Sequence, residues 1–173
     1  YLRAHADRYR IDPQHIGAMG ESAGGYLTCM AALDNDPELD TGAYLEYSSQ
    51  IQAACPWYPP TDASSFHYDD PEQAAAAAES LLMGFNVMRN IKEAEDNSPV
   101  SKVTKDAPPF LIIHGTDDHT VPFEQSEILY EKLTKNGCDV KFIELEGADH
   151  ADMQFFQDEL WNRIIEFFDE KLK

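Results

Sequence analysis

The sequence predicts an α/β fold, a parallel sheet flanked by helices, on three observations. Short apolar runs alternate four times with amphipathic stretches of helical period. The run "PPFLIIHG" (108–115) is apolar without alternation, as a strand buried on both faces requires. With 173 residues, 43% of them hydrophobic, the chain has the length and apolar content of one ordinary domain.

The elements follow in order. Tyr1 to Tyr9 carries an amphipathic helical pattern that stops at the turn pair Asp12-Pro13. "HIGAM" (15–19) reads as a short buried strand, and "SAGGYLTCMAAL" (22–33) as a helix with Leu27, Met30, Ala31 and Leu33 on its stripe. That helix stops near the polar "DNDPELD", and "IQAACPWY" (51–58) forms a second strand ended by Pro59-Pro60. Between Thr61 and Asp106 the pattern loosens. Five alanines, Ala74 to Ala78, supply helix propensity there, and segment 63–105 reads as one or two helices outside the main alternation. It is either a cap or lid over a site or an ordinary helical connection.

Regular order returns with "PPFLIIHG" as the third strand. "FEQSEILYEKLTKNG" (123–137) is a helix with Ile128, Leu129 and Leu133 on its stripe and Gly137 as a left-handed stop. "DVKFIEL" (139–145) makes the fourth strand, and "FFQDELWNRIIEFFDEKLK" (155–173) a last helix with Phe156, Leu160, Ile164 and Phe168 inward. No repeat or linker divides residues 1–173, so a single domain is expected.

A formal net charge of -19, from 32 acidic against 13 basic residues, repels phosphate backbones and anionic membranes and argues against a nucleic-acid partner. No apolar run approaches the ~18 residues of a membrane span. Cys29, Cys55 and Cys138 form no CxxC pair and read as buried small hydrophobes. No cluster has metal-ligand spacing, and neither a metal nor another cofactor is expected.

In open parallel sheets ligands bind beyond the carboxyl ends of the strands. Ser22 follows the first strand, Asp117 and Asp118 follow the third in "HGTDDHTVP", and His150 follows the fourth in "EGADHAD". Gly20, Ser22 and Gly24 satisfy GxSxG in the strand, turn, helix setting that a nucleophile elbow needs. A serine hydroxyl requires a base to become nucleophilic, a role His150 could take, with an acid holding its tautomer. Asp118, one residue further from the strand end, is preferred over Asp117. The backbone N–H of Ala23, at a helix N-terminus, is placed to stabilise an oxyanion. Ser22 also reads as a plain N-cap, His114 as a hydrogen-bonded core histidine, and Glu21 and Asp62 as turn formers. His5, His15, His67 and His119 have no assigned partner.

Three stretches carry a family resemblance: "YRIDPQHIGAMGESAGGYL", "SPVSKVTKDAPPFLIIHGTDDHTVPFEQSEILYEKLTKNG" and "FIELEGADHADMQFF". Through them the chain resembles the C-terminal half of the BD-FAE-like acetyl esterases and carboxylesterases of the α/β-hydrolase superfamily. The resemblance implies Ser22 as nucleophile, Asp118 as acid and His150 as base, with Val121 and Pro122 closing the acid motif. "ADH" departs from the more usual small-residue-Gly-His, and the chain has no HGG oxyanion loop.

The implied fold is therefore partial, equivalent to strands five to eight, with the first half lying upstream. The "HIGAM" edge is expected to pair with that half or with a second copy. The isolated 173 residues are expected to be feebly active or inactive. The resemblance implies a small-molecule ester substrate with a short acyl group, acetyl or aromatic, on a sugar for example. A prolyl-oligopeptidase-type peptidase and a catalytically inactive binding or assembly module are the competing readings.

Overall fold

The computed structural model describes residues 1–173. Four parallel strands, β1 (Gly17–Glu21), β2 (Ala53–Trp57), β3 (Phe110–Gly115) and β4 (Val140–Leu145), lie side by side in chain order. Their carboxyl ends are nearly level, since Glu21 pairs with Trp57, Trp57 with Ile113, and Gly115 with Leu145. Every residue of the central strands β2 and β3 is buried, the environment that their unbroken apolar runs demand. On the edge strand β4 Ile143 is buried while Lys141 and Glu144 face solvent.

The helices are α1 (Ala6–Tyr9), α2 (Ala23–Leu33), α3 (Pro71–Ala76), α4 (Ala78–Met83), α5 (Ile91–Asp96), α6 (Glu124–Lys135) and α7 (Asp158–Lys171). On one face of the sheet Leu160, Ile164 and Phe167 of α7 pack on Ala53, Cys55, Trp57, Leu111, Ile113 and Ile143. On the other, Cys29, Ala32 and Leu33 of α2 and Leu129 and Leu133 of α6 pack on Ala54, Phe110 and Ile112. These two cores make three layers. No helix is long and apolar enough to cross a membrane.

The stripe expected on α2 is corrected. Leu27 is 60% exposed, Ala31 is exposed and Met30 only half-buried, while Gly25, Thr28, Cys29, Ala32 and Leu33 face inward. The helix begins directly at the end of β1, so the turn sets its rotation and brings it so close that small residues must face the sheet. A Cβ on Gly25 would lie 2.7 Å from the Trp57 carbonyl oxygen.

A similar shift affects α7. A 3-10 turn (Met153–Phe156) precedes it and buries Phe155, leaving Phe156 half exposed, and within the helix Phe167 is buried while Phe168 packs at the margin. On α6 Ile128 is half-buried, and Gln125 and Ser126 are buried beside Leu129 and Leu133. Gly137 does adopt the left-handed conformation, with φ of 74°. Cys29 and Cys55 are buried and Cys138 is partly exposed.

The first segment begins as a 3-10 turn and becomes helical only over α1, which ends at Arg10 in the left-handed region. Between β2 and β3 the alanine run is not one helix, because Ala77 turns extended with ψ of 151° and separates α3 from α4. Asp70 caps α3 by accepting the N–H groups of Glu72 and Gln73. These short helices gather around a small core of Ala63, Val87 and Ala94, flanked by Tyr68, Met83 and Phe85.

Candidate active site

Ser22 occupies the turn between β1 and α2 with φ 53° and ψ -117°, a sparsely populated conformation for a residue with a Cβ. Its N–H donates to the Trp57 carbonyl at 3.0 Å, so β2 holds the strained turn in place. A Cβ on Gly20 would lie 2.4 Å from the carbonyl oxygen of Gly24, which explains the first glycine of the motif. A Cβ on Gly24 itself would meet open space. The helix side of the elbow depends instead on Gly25.

The Ser22 hydroxyl makes no capping bond to α2. It donates to His150 Nε2 at 3.0 Å, across 128 residues of sequence. His150 Nδ1 in turn donates to Asp118 Oδ2 at 2.7 Å. Thus Ser22, His150 and Asp118, each delivered by the loop after a different strand, form one continuous hydrogen-bonded chain. The Asp118 side chain is fully buried, whereas Asp117 is exposed. Asp118 Oδ1 accepts the N–H groups of Thr120 and Val121 at 2.8 Å each, which fixes the carboxylate in the turn after β3.

His114 lies behind this carboxylate and is fully buried in β3. Its Nε2 donates to the Val121 carbonyl at 3.0 Å, and its Nδ1 accepts from the Ser126 hydroxyl at 2.7 Å. Burial, the largest influence, lowers its pKa and keeps it neutral, while its Nε2 approaches Asp118 Oδ2 to 3.3 Å. It is the core histidine that its place in an apolar strand predicts, and it also shapes the pocket that receives Asp118.

Ala23 is the first residue of α2, so its N–H is among those that a helix leaves without an intrahelical acceptor. Ser22 and Ala23 open into a cavity of about 750 Å³ whose apolar lining includes Tyr26, Phe66, Tyr68, Leu82, Met83 and Val121. Most of its far wall comes from the chain between β2 and β3. His67 and His119 also line it, and His119 pairs with Asp149 at 3.5 Å. Away from the site, His5 stacks on Tyr1 and His15 bonds Asp12. Asp62 accepts the N–H and hydroxyl of Ser64, a turn contact. No group of three or more His, Cys, Asp or Glu side chains is arranged to hold a metal ion.

Two residues at the site carry more than their sequence context suggests. Tyr58, immediately after β2, is fully buried, and its ring centroid lies 4.4 Å from that of His150. Its hydroxyl donates to Glu21 Oε2 at 2.6 Å, so Glu21 does not serve the turn alone. Burial pushes the Tyr58 pKa well up, and the Glu21 and Asp118 carboxylates add to the shift. Tyr58 was hidden in the sequence because an aromatic ending an apolar run reads as core. Its place at the carboxyl end of a strand was the available signal.

The profile of the BD-FAE family matches residues 1–133, a span that ends before His150. The chain is 32% identical over 153 residues to the probable carboxylic ester hydrolase LipM of Mycobacterium tuberculosis, covering 87% of this chain and 35% of that protein. It is 34% identical over 156 residues to the esterase LipQ of the same organism, covering 87% and 36%. It therefore spans about a third of the length of these curated relatives. A solved truncated form of a carbohydrate esterase from gut microbiota superposes with a TM-score of 0.87 at 29% identity, covering 99% of this chain and 64% of that one.

Proposed function

The chain belongs to the BD-FAE family and carries part of an α/β-hydrolase fold, and on that premise we propose that it holds the catalytic centre of a serine carboxylic-ester hydrolase. The observation that carries this reading is the hydrogen-bonded chain from Ser22 Oγ through His150 to Asp118. Ser22 Oγ attacks the ester carbonyl carbon as His150 Nε2 takes its proton. Asp118 accepts the Nδ1–H bond throughout, holding the tautomer and stabilising the imidazolium without being protonated itself. The oxyanion of the tetrahedral intermediate accepts the Ala23 N–H at the positive end of α2.

Collapse of the intermediate breaks the bond between carbonyl carbon and alkoxy oxygen, and His150 passes its proton to the departing alcohol. A water, deprotonated by His150, then attacks the acyl-serine, and the carboxylic acid leaves as Ser22 regains its proton.

The substrate is an uncharged ester with a short acyl group, acetyl or aromatic, and its alcohol can be a sugar hydroxyl. The predominantly apolar cavity beside Ser22 supports this reading, since about 750 Å³ exceeds what an acetyl group alone needs. The similarity to a protein described as a carbohydrate esterase supports a sugar-borne ester. The names of the relatives at 31–34% identity favour ester over peptide cleavage.

The test is hydrolysis of p-nitrophenyl acetate by the full-length polypeptide, with intact-mass detection of a phosphonate adduct that Ser22→Ala abolishes. Hydrolysis and adduct both insensitive to Ser22→Ala would overturn the reading.

A further inference from the structure

The pairing of Tyr58 with Glu21 is not explained by packing. A phenylalanine would fill the same buried space, and the backbone at Tyr58 has φ of 33°, a region that a bulky side chain adopts only under constraint. The phenol is directed at a carboxylate on the residue just before Ser22 and bonds it at 2.6 Å, a charge-assisted distance. The ring lies against the His150 imidazole at 4.4 Å with an interplanar angle of 57°, and it also packs near-perpendicular to Phe155 at 4.7 Å. Imidazole, phenol and carboxylate thus stand in series, and the Glu21 charge is held one phenol away from the base.

We propose that Tyr58 and Glu21 form a positioning couple for His150, in which the phenol braces the imidazole and tethers a second carboxylate whose charge stabilises the imidazolium formed when Ser22 attacks. The inference rests on the serine-hydrolase reading above.

Asp118 already serves the imidazolium from Nδ1, and the remaining titratable and charged groups around His150 leave the addition of a second charge to Glu21. Asp118 is committed to Nδ1 and Ser22 to Nε2. His114 stands behind Asp118 and is neutral. Asp149, in the same loop as His150, accepts the main-chain N–H groups of His150 and His119 and pairs with the His119 ring. Neither β4 nor the loop after it sends another carboxylate to the phenol hydroxyl. The couple also joins the end of β1 to the end of β2, so it acts on the base from strands other than those that deliver His150 and Asp118.

Glu21→Gln keeps the shape and removes the charge, and Tyr58→Phe keeps the ring and removes the tether. In the full-length polypeptide, with p-nitrophenyl acetate, each is expected to lower kcat by about tenfold with little change in KM. Removing a negative charge disfavours the protonated ring, so the acid limb of the kcat/KM profile should move about half a unit to lower pH in Glu21→Gln. Because the charge acts through the phenol, the double variant should be no worse than the poorer single one.

An acid limb and kcat equal to wild type in both variants would overturn the couple. So would a fall in kcat with an unmoved limb, which is the mark of lost packing alone, and so would losses that multiply in the double variant. Ser22→Ala run beside them separates the two levels. If it remains active, the serine-hydrolase reading fails, whereas an inactive Ser22→Ala with unaffected Glu21→Gln and Tyr58→Phe removes only the couple.

Discussion

The carboxyl edge of the sheet and the stretch between β2 and β3 meet at one cavity but are built in opposite ways. At the edge, Ser22, Asp118 and His150 each lie in the loop after a different strand, and hydrogen bonds of 2.7 and 3.0 Å link them. Beneath it lie cores of 12 and 9 buried residues. The intervening stretch consists of helices of six residues each around a core of three buried residues. On the proposed reading, chemistry that tolerates little displacement stands on the sheet with the larger cores, and the far wall of the cavity stands on the part that costs least to alter.

Substitutions should separate the two regions. The largest effect expected is from Ser22→Ala, a loss in kcat of about a millionfold with an unchanged melting temperature. A loss of less than about a hundredfold would place the chemistry elsewhere. Asp118→Asn should cost about 10⁴ in kcat by favouring the wrong His150 tautomer, and a similar loss from Asp117→Asn would reverse the assignment of the acid.

Stability comes next. Gly25→Ala drives a Cβ toward the Trp57 carbonyl and should destabilise by about 1–3 kcal/mol. Gly24→Ala meets open space and should stabilise by about 0.4–1 kcal/mol. Denaturant unfolding of both variants checks the contrast. On the helical wall, Leu82→Ala should change the preference between butyrate and acetate esters by about three- to tenfold. An identical preference would detach α4 from substrate selection.

The smallest effect concerns His114. Its folded pKa is lowered, so below about pH 6.5 the unfolded chain binds more protons than the folded one. Stability should therefore fall as pH drops through that value, by at most about 1.4 kcal/mol per pH unit from this group. His114→Gln should flatten the slope of melting temperature against pH, and an unaltered slope would assign the acid sensitivity to other groups.

Much of the edge was legible in the sequence, because strand, turn and helix punctuation is local and the order Ser22, Asp118, His150 survives folding. That Asp118 and not Asp117 bonds His150 agrees with its greater distance from the strand end. What could not be read depended on closeness between elements. The α2 stripe was misjudged because apolar pattern favours Leu27, whereas contact with β2 favours the small Gly25, Cys29 and Ala32. Phe156 gave way to Phe155 because a 3-10 turn precedes α7, while within α7 Leu160 and Ile164 are buried as expected, Phe167 joins them and Phe168 packs at the margin of the same core. The alanine run was expected to supply helix propensity, and the break at Ala77 has no counterpart in propensity. Tyr58 needed both its neighbours, one on β1 and one after β4, before its role could be seen.

The bond between Ser22 and His150 closes a loop of 128 residues, whereas each helix closes on itself within a few. Contacts of such long range form late and slowly during refolding. Catalytic competence is consequently a clock for the last stage of assembly, and recovered activity after dilution from denaturant should lag behind recovered helical signal.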